Sequence, residues 1–128
     1  MGVTAFLAVG TGAALGAWLR WWLGVLLNPL FPTLPLGTLA ANLLGGFVMG
    51  LALGAFAHYQ ALSPEARLFL TTGFLGGLTT FSTFSGEAAT LLLRQQYAWF
   101  GAHVLVHVAG SLAATLAGLA LIRTLLRA

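Results

Sequence analysis

The sequence predicts an all-α membrane protein of four transmembrane helices, the third of them broken, paired as an antiparallel dual-topology homodimer. Three observations carry this. First, 59% of the 128 residues are hydrophobic and only 5% charged, with a mean hydropathy of +0.98, whereas soluble domains carry about a quarter charged residues. Second, a run of glycines and hydroxyls interrupts one of the apolar blocks. Third, the few arginines are almost evenly divided between the two ends of those blocks. A crossing helix needs roughly 20 apolar residues, so four of them make residues 1–128 a single transmembrane domain.

The first crossing, 3–27, is apolar apart from Thr4, Thr11 and Arg20, and stops at Asn28-Pro29, Pro32 and Pro35, because proline cannot continue a helix. With no basic residue ahead of its apolar stretch, it reads as a span rather than a cleaved signal. The second, 36–57, holds Asn42 as its one strongly polar side chain and closes at His58-Tyr59-Gln60. Ser63-Pro64-Glu65 then has the form of a helix start with proline in the first turn. The third, 68–93, contains Glu87 and ends before Arg94-Gln95-Gln96, and the fourth, 98–122, ends at Arg123 and Arg127. Glycine stripes at 12 and 16, at 46, 50 and 54, and Gly110-Ala114-Gly118 suit close helix packing, within one chain or between two.

With four crossings, Arg67, Arg123 and Arg127 lie on one side and Arg94 and Arg20 on the other. Orientation follows Lys/Arg asymmetry between loops, and so slight an excess lets the chain insert both ways and pair with an inverted copy. The arginines are single rather than clustered, which excludes a nucleic-acid surface. Cysteine is absent, so disulfides and thiolate chemistry are excluded too. No nucleophile with a base, phosphate-binding loop or cofactor motif is present, and the chain does not read as an enzyme.

The informative stretch runs from Gly73 to Glu87. Glycines 73, 76 and 77 followed by Thr79-Thr80-Phe81-Ser82-Thr83-Phe84-Ser85 make poor continuous helix, and broken backbone at membrane depth is tolerated only against protein or a water-filled cavity. A break frees carbonyls for a small cation and N–H groups for an anion. Phe81 and Phe84 share a face if the restart is helical, and the positive ring edges, with hydroxyls nearby, suit a small anion. Asn42 offers two N–H donors to such an ion or ties helices together. His103, His107 and Ser111 line one helical face at i, i+4 and i+8. That line fits a hydrogen-bonding ladder along a permeation path, a proton relay, or plain packing. A His pair at this spacing can bind zinc, but no Cys or Asp completes the set and Glu65 and Glu87 are the only acids. Glu87 is a functional residue or an interfacial carboxylate near Arg94. Arg20, beside Trp18, Trp21 and Trp22, reads as an interfacial anchor or an anion-attracting entrance.

The chain resembles the Fluc family of small fluoride channels over nearly its whole length. The resemblance lies in the small residues leading to Arg20 and Trp21, in the segment Gly37 to Phe47 around Asn42, and in Gly73 to Glu87. It implies an antiparallel homodimer with two fluoride pores in the cell (inner) membrane, passively releasing cytoplasmic fluoride, and a structural sodium ion at the dimer centre. By position, it implies that Phe81 and Phe84 form an aromatic box, Asn42 is a pore donor, and Ser82 and Thr83 lie in a polar track near Glu87. The carbonyls of Gly76 and Thr79 would hold the sodium. The chain departs from the family where His103 and His107 replace Tyr and Ser, which predicts conductance that varies between about pH 5 and 7.5. Two other readings are a proton-coupled multidrug-type exporter, which lacks the needed carboxylate in the first span, and a non-transporting scaffold.

Overall fold

The computed structural model describes Gly2 to Arg127, and the described residues are almost entirely helical. Helix α1 (Val3–Leu27) ends in a short 3-10 turn, Asn28–Leu30, with Pro29 at its start. The Asn28 carboxamide oxygen then accepts the N–H groups of Gly37 (2.7 Å) and Thr38 (3.2 Å). These are among the orphan donors of α2 (Leu36–His58), so the residue that closes the first crossing also caps the second. Helix α3 (Pro64–Leu68) starts where the sequence places it, with the Ser63 hydroxyl accepting from the Ala66 N–H (3.1 Å) and Pro64 in the first turn. It continues through a π-helical stretch, Phe69–Leu75, into a last turn, α4 (Gly76–Leu78).

The predicted break falls at Thr79 and Thr80, both in extended conformation. The chain restarts as α5 (Phe81–Leu93), where the Thr80 hydroxyl accepts from the Thr83 N–H (3.0 Å) as an N-cap. Gln95, at φ 59°, turns the chain into α6 (Tyr97–Arg127). Three continuous stretches, Val3–Leu30, Leu36–His58 and Tyr97–Arg127, are long and apolar enough to cross a membrane. The two halves of Pro64–Leu93 stand where the sequence predicts the third, broken crossing.

Helix α6 runs past the expected end at residue 122, because no glycine or proline stops it there. At about 1.5 Å per residue its 31 residues outreach a hydrocarbon core of about 30 Å. One or both of its ends, which carry Tyr97 and Trp99 at the start and Arg123 and Arg127 at the finish, therefore extend past that core.

The glycine stripes serve packing within one chain. A Cβ on Gly12 or Gly16 would strike the backbone of residues 69–78, and one on Gly73 or Gly77 would strike α1. A Cβ on Gly46 or Gly50 would strike the carbonyls of Ser111 or Thr115 in α6, and one on Gly118 the Phe47 carbonyl in α2. Two backbone-to-backbone seams result, α1 with the first half of the broken crossing and α2 with α6. They meet over Ala41, Leu75 and Leu78, with Phe74 and Met49 packed around them. Helix α5 rests chiefly on α6, which leaves the opposite face of α5, with Phe81, Ser82, Thr83 and Ser85, exposed on the protomer.

Candidate functional site

Two extended residues at membrane depth leave backbone groups without helical partners, and Asn42 meets the central pair. Its side-chain oxygen accepts the Thr80 N–H (2.8 Å) and its amide nitrogen donates to the Thr80 carbonyl (3.2 Å). One side chain on α2 thus closes both hydrogen bonds that the break opens at Thr80. The amide nitrogen also lies 3.1 Å from Nδ1 of His107 on α6, which joins the break to the line of histidines. Arg20 reaches inward, its Nε–H donating to the Gly77 carbonyl (3.0 Å). That contact caps the C-terminal end of the first half-helix, where a cation is favoured. The guanidinium of the expected interfacial residue is therefore tied to the break.

A second set of contacts gathers on the far side of His107. Thr38, one helical turn before Asn42, donates its hydroxyl proton to Glu87 Oε2 (2.7 Å). Glu87 Oε1 lies 3.4 Å from His103 Nε2. The His103 and His107 rings are 4.5 Å apart, centroid to centroid, and Phe84 lies against both, at 5.1 Å and 4.8 Å. Phe84 stacks on His103 with 17° between their planes, so one ring face is covered and its rim carries the positive edge. Phe81 lies 5.5 Å from Phe84, tilted by 51°. Phe84 is 8% exposed and Phe81 78%, so only one ring of the expected box is enclosed by the protomer. Thr38 Oγ1, Glu87, His103, His107, Asn42 and the Thr80 backbone follow one another as a polar line through the bundle, hydrogen-bonded from Thr38 to Glu87 and from His107 through Asn42 to Thr80.

A cavity of about 490 Å³ adjoins this line. Asn42, Gly76, Thr79, Phe81, Phe84, His107 and Ser111 all reach it. A smaller one, about 300 Å³, is lined by Arg20, Trp21, Asn28, Thr38, Thr80 and Thr83. Most of the residues selected from sequence thus converge on the break. Glu87 and His103 sit behind Phe84, and Ser82 is on the exposed face of α5, its hydroxyl 3.3 Å from that of Thr80. Sequence reasoning assigned no role to Thr38 or Thr80. The spacing of Thr38 to Asn42, one turn apart on an otherwise apolar helix, was the available signal for the first.

Glu87, His103 and His107 each bring a ligand-type atom within 4.8 Å of the others. Glu87 therefore supplies the third member that the sequence did not place beside the histidines. Four buried atoms of this trio have no hydrogen-bond partner among the described residues: Glu87 Oε1, His103 Nδ1 and Nε2, and His107 Nε2. Buried polar groups are ordinarily paired, and these atoms depart from that rule within the protomer.

These features define a small polytopic membrane protein with a broken crossing and a buried polar path beside it. Residues 7–119 match the family model described as CrcB-like protein, Camphor Resistance (CrcB). The chain belongs to that family. It is similar to a protein of Nitrosospira multiformis, 62% identical over 125 residues covering 98% of each chain. It is also similar to one of Aromatoleum aromaticum, 65% identical over 108 residues, 84% of this chain and 82% of that one. A third, from Cupriavidus necator, is 58% identical over 119 residues, 93% and 94% of the two chains. All three bear the name fluoride-specific ion channel FluC.

Proposed function

We propose that this protein is a fluoride-selective channel that lets fluoride leave the cytoplasm down its gradient, across the inner cell membrane, as an antiparallel homodimer with two pores. The observation that carries this reading is the polar line from Thr38 to Thr80, held inside the helix bundle with Thr38, His103 and His107 buried and bordered by the Phe84 rim. Hydroxyl and ring N–H donors and aromatic edges attract a small hard anion without a fixed cation that would hold it, and conduction needs binding weak enough to leave. The names carried by the relatives point the same way. Ser111 and His107 at the cavity, and Ser82 and Thr83 on α5, extend the track. The multidrug-type exporter reading gains no support, since α1 carries no carboxylate. Expression in bacteria lacking their own fluoride exit route is expected to restore growth in fluoride; growth equal to the empty vector would contradict the proposal.

The homodimer is supported by the exposed face of α5. Phe81, Ser82, Thr83 and Ser85 stand where lipid offers no hydrogen bonds, and an inverted copy covers them. The chain has no cysteine, so Gln60→Cys in the 59–63 loop gives one label. Dual topology predicts that an impermeant maleimide applied outside intact cells labels about half of it, by the charge-balance argument; labelling of nearly all or none would contradict it.

The central sodium ion is supported by carbonyl chemistry. The Thr80 N–H goes to Asn42 and the Thr83 N–H to Thr80 Oγ1, so the carbonyls of Gly76 and Thr79 lack their i+4 donors. Such hard oxygens fit a small alkali cation. Flux is also expected to depend on pH through His103 and His107. The variant His103→Tyr/His107→Ser should flatten that profile; an unchanged profile would place the titration elsewhere.

A further inference from the structure

We propose that Asn42 fixes His107 as its Nε2–H tautomer, and that this makes the orphan cluster at Glu87, His103 and His107 a fluoride-donor subsite and not a transition-metal site. The inference rests on the fluoride reading above and assigns Asn42 a positioning role through His107.

The orientation of the Asn42 amide is set by backbone atoms whose chemistry is fixed. The Thr80 N–H can only donate, so the atom 2.8 Å from it is the amide oxygen; the Thr80 carbonyl can only accept, so the atom 3.2 Å from it is the amide nitrogen. The amide nitrogen is therefore the atom 3.1 Å from His107 Nδ1. Since that nitrogen carries only hydrogens to give, Nδ1 accepts, and the proton of the neutral imidazole resides on Nε2. His107 Nε2 is buried and unpartnered, in a residue only 4% exposed. An N–H donor held in that state needs an acceptor.

A metal is the competing guest. Tetrahedral zinc with bonds of about 2.0–2.1 Å sets neighbouring ligands about 3.3 Å apart, close to the 3.4 Å between Glu87 Oε1 and His103 Nε2. His107 breaks the match. A ligating histidine donates its second N–H to an acceptor, whereas here the second nitrogen faces the Asn42 N–H. Ligation through Nε2 would set two donors against each other, and ligation through Nδ1 would displace Asn42. The groups facing His107 from α5 and α6 are Glu87 and His103, with Glu87 Oε1 3.4 Å from His103 Nε2.

Nitrogen-15 NMR on the full-length protein in lipid, labelled at histidine, tests this. The His107 signal, identified by its loss in His107→Gln, is expected to show a protonated Nε2 and a bare Nδ1, and Nε2 is expected to shift on adding fluoride. In Asn42→Asp the carboxylate accepts from Nδ1–H and the tautomer reverses. A glutamine amide nitrogen stands near the Nε2 position and an asparagine one near Nδ1, so His107→Asn should lower fluoride efflux about tenfold more than His107→Gln. A wild-type Nδ1–H tautomer, equal efflux in the two amide variants, or zinc displacing fluoride at equimolar concentration would each overturn the inference. Absence of fluoride efflux with the Nε2–H tautomer present would instead overturn the fluoride reading.

Discussion

Phe84→Ala is expected to lower fluoride efflux about tenfold or more, the change that accompanies loss of roughly 1.4 kcal/mol along the path. The ring lies against His103 and His107 and borders the cavity lined by Asn42 and Ser111. Each aromatic contact of this kind contributes about 0.5–1.5 kcal/mol, so its removal loosens both imidazoles as well as taking away the positive rim. A buried Phe→Ala change also costs about 3–5 kcal/mol of stability. Phe84→Leu separates the two effects, because leucine fills much of the space and has no ring edge. If the rim carries the ion, the leucine variant is folded and nearly as slow as the alanine one. Efflux near wild type in folded Phe84→Leu protein would reduce Phe84 to packing. Phe81→Ala differs in kind. The ring is exposed on the protomer, so the fold is expected to survive and a loss of flux reports the ring's place at the cavity or a contact with the partner copy.

Gly50→Val is expected to give the largest loss of stability. A Cβ at Gly50 collides with the Thr115 carbonyl and comes within 2.7 Å of the Leu119 nitrogen, both backbone atoms of α6 that cannot swing aside. The α2–α6 seam positions Asn42 against His107, so prising it apart breaks the polar line together with the packing. Overpacking a core commonly costs about 1–3 kcal/mol, and a backbone collision belongs at or above the top of that range. Thermal aggregation in detergent should move to clearly lower temperature. Gly101→Ala is the matched control, since nothing lies within 4 Å of its added methyl and alanine favours a helix by up to about 1 kcal/mol. Equal stability of Gly50→Val and Gly101→Ala would contradict the seam.

The break was legible because its cause is local. Gly76, Gly77 and the hydroxyls after them weaken helix without reference to any other segment, and the structure interrupts the crossing at Thr79 and Thr80. Ser63 and Pro64 announced a helix start for the same reason. Partner choice was not legible, because it depends on which helices lie side by side. Asn42 read equally well as ion donor or interhelical tie; its amide turns out to hold Thr80 from both sides, a match between α2 and a backbone 38 residues away. Arg20 sits among tryptophans in the sequence, yet its Nε reaches Gly77. The glycine stripes gave their faces but not their partners, and the two seams follow from chain topology. The third acid of the histidine cluster was hidden likewise, since Glu87 meets His103 only because α5 folds back along α6.

The most direct test of fluoride selectivity is anion loss from proteoliposomes, fluoride against chloride, at neutral pH with a potassium ionophore collapsing the voltage. Fast fluoride loss with little chloride loss is expected. No fluoride loss from protein shown to be folded and dimeric would contradict the account, leaving the break and its polar line as scaffold alone.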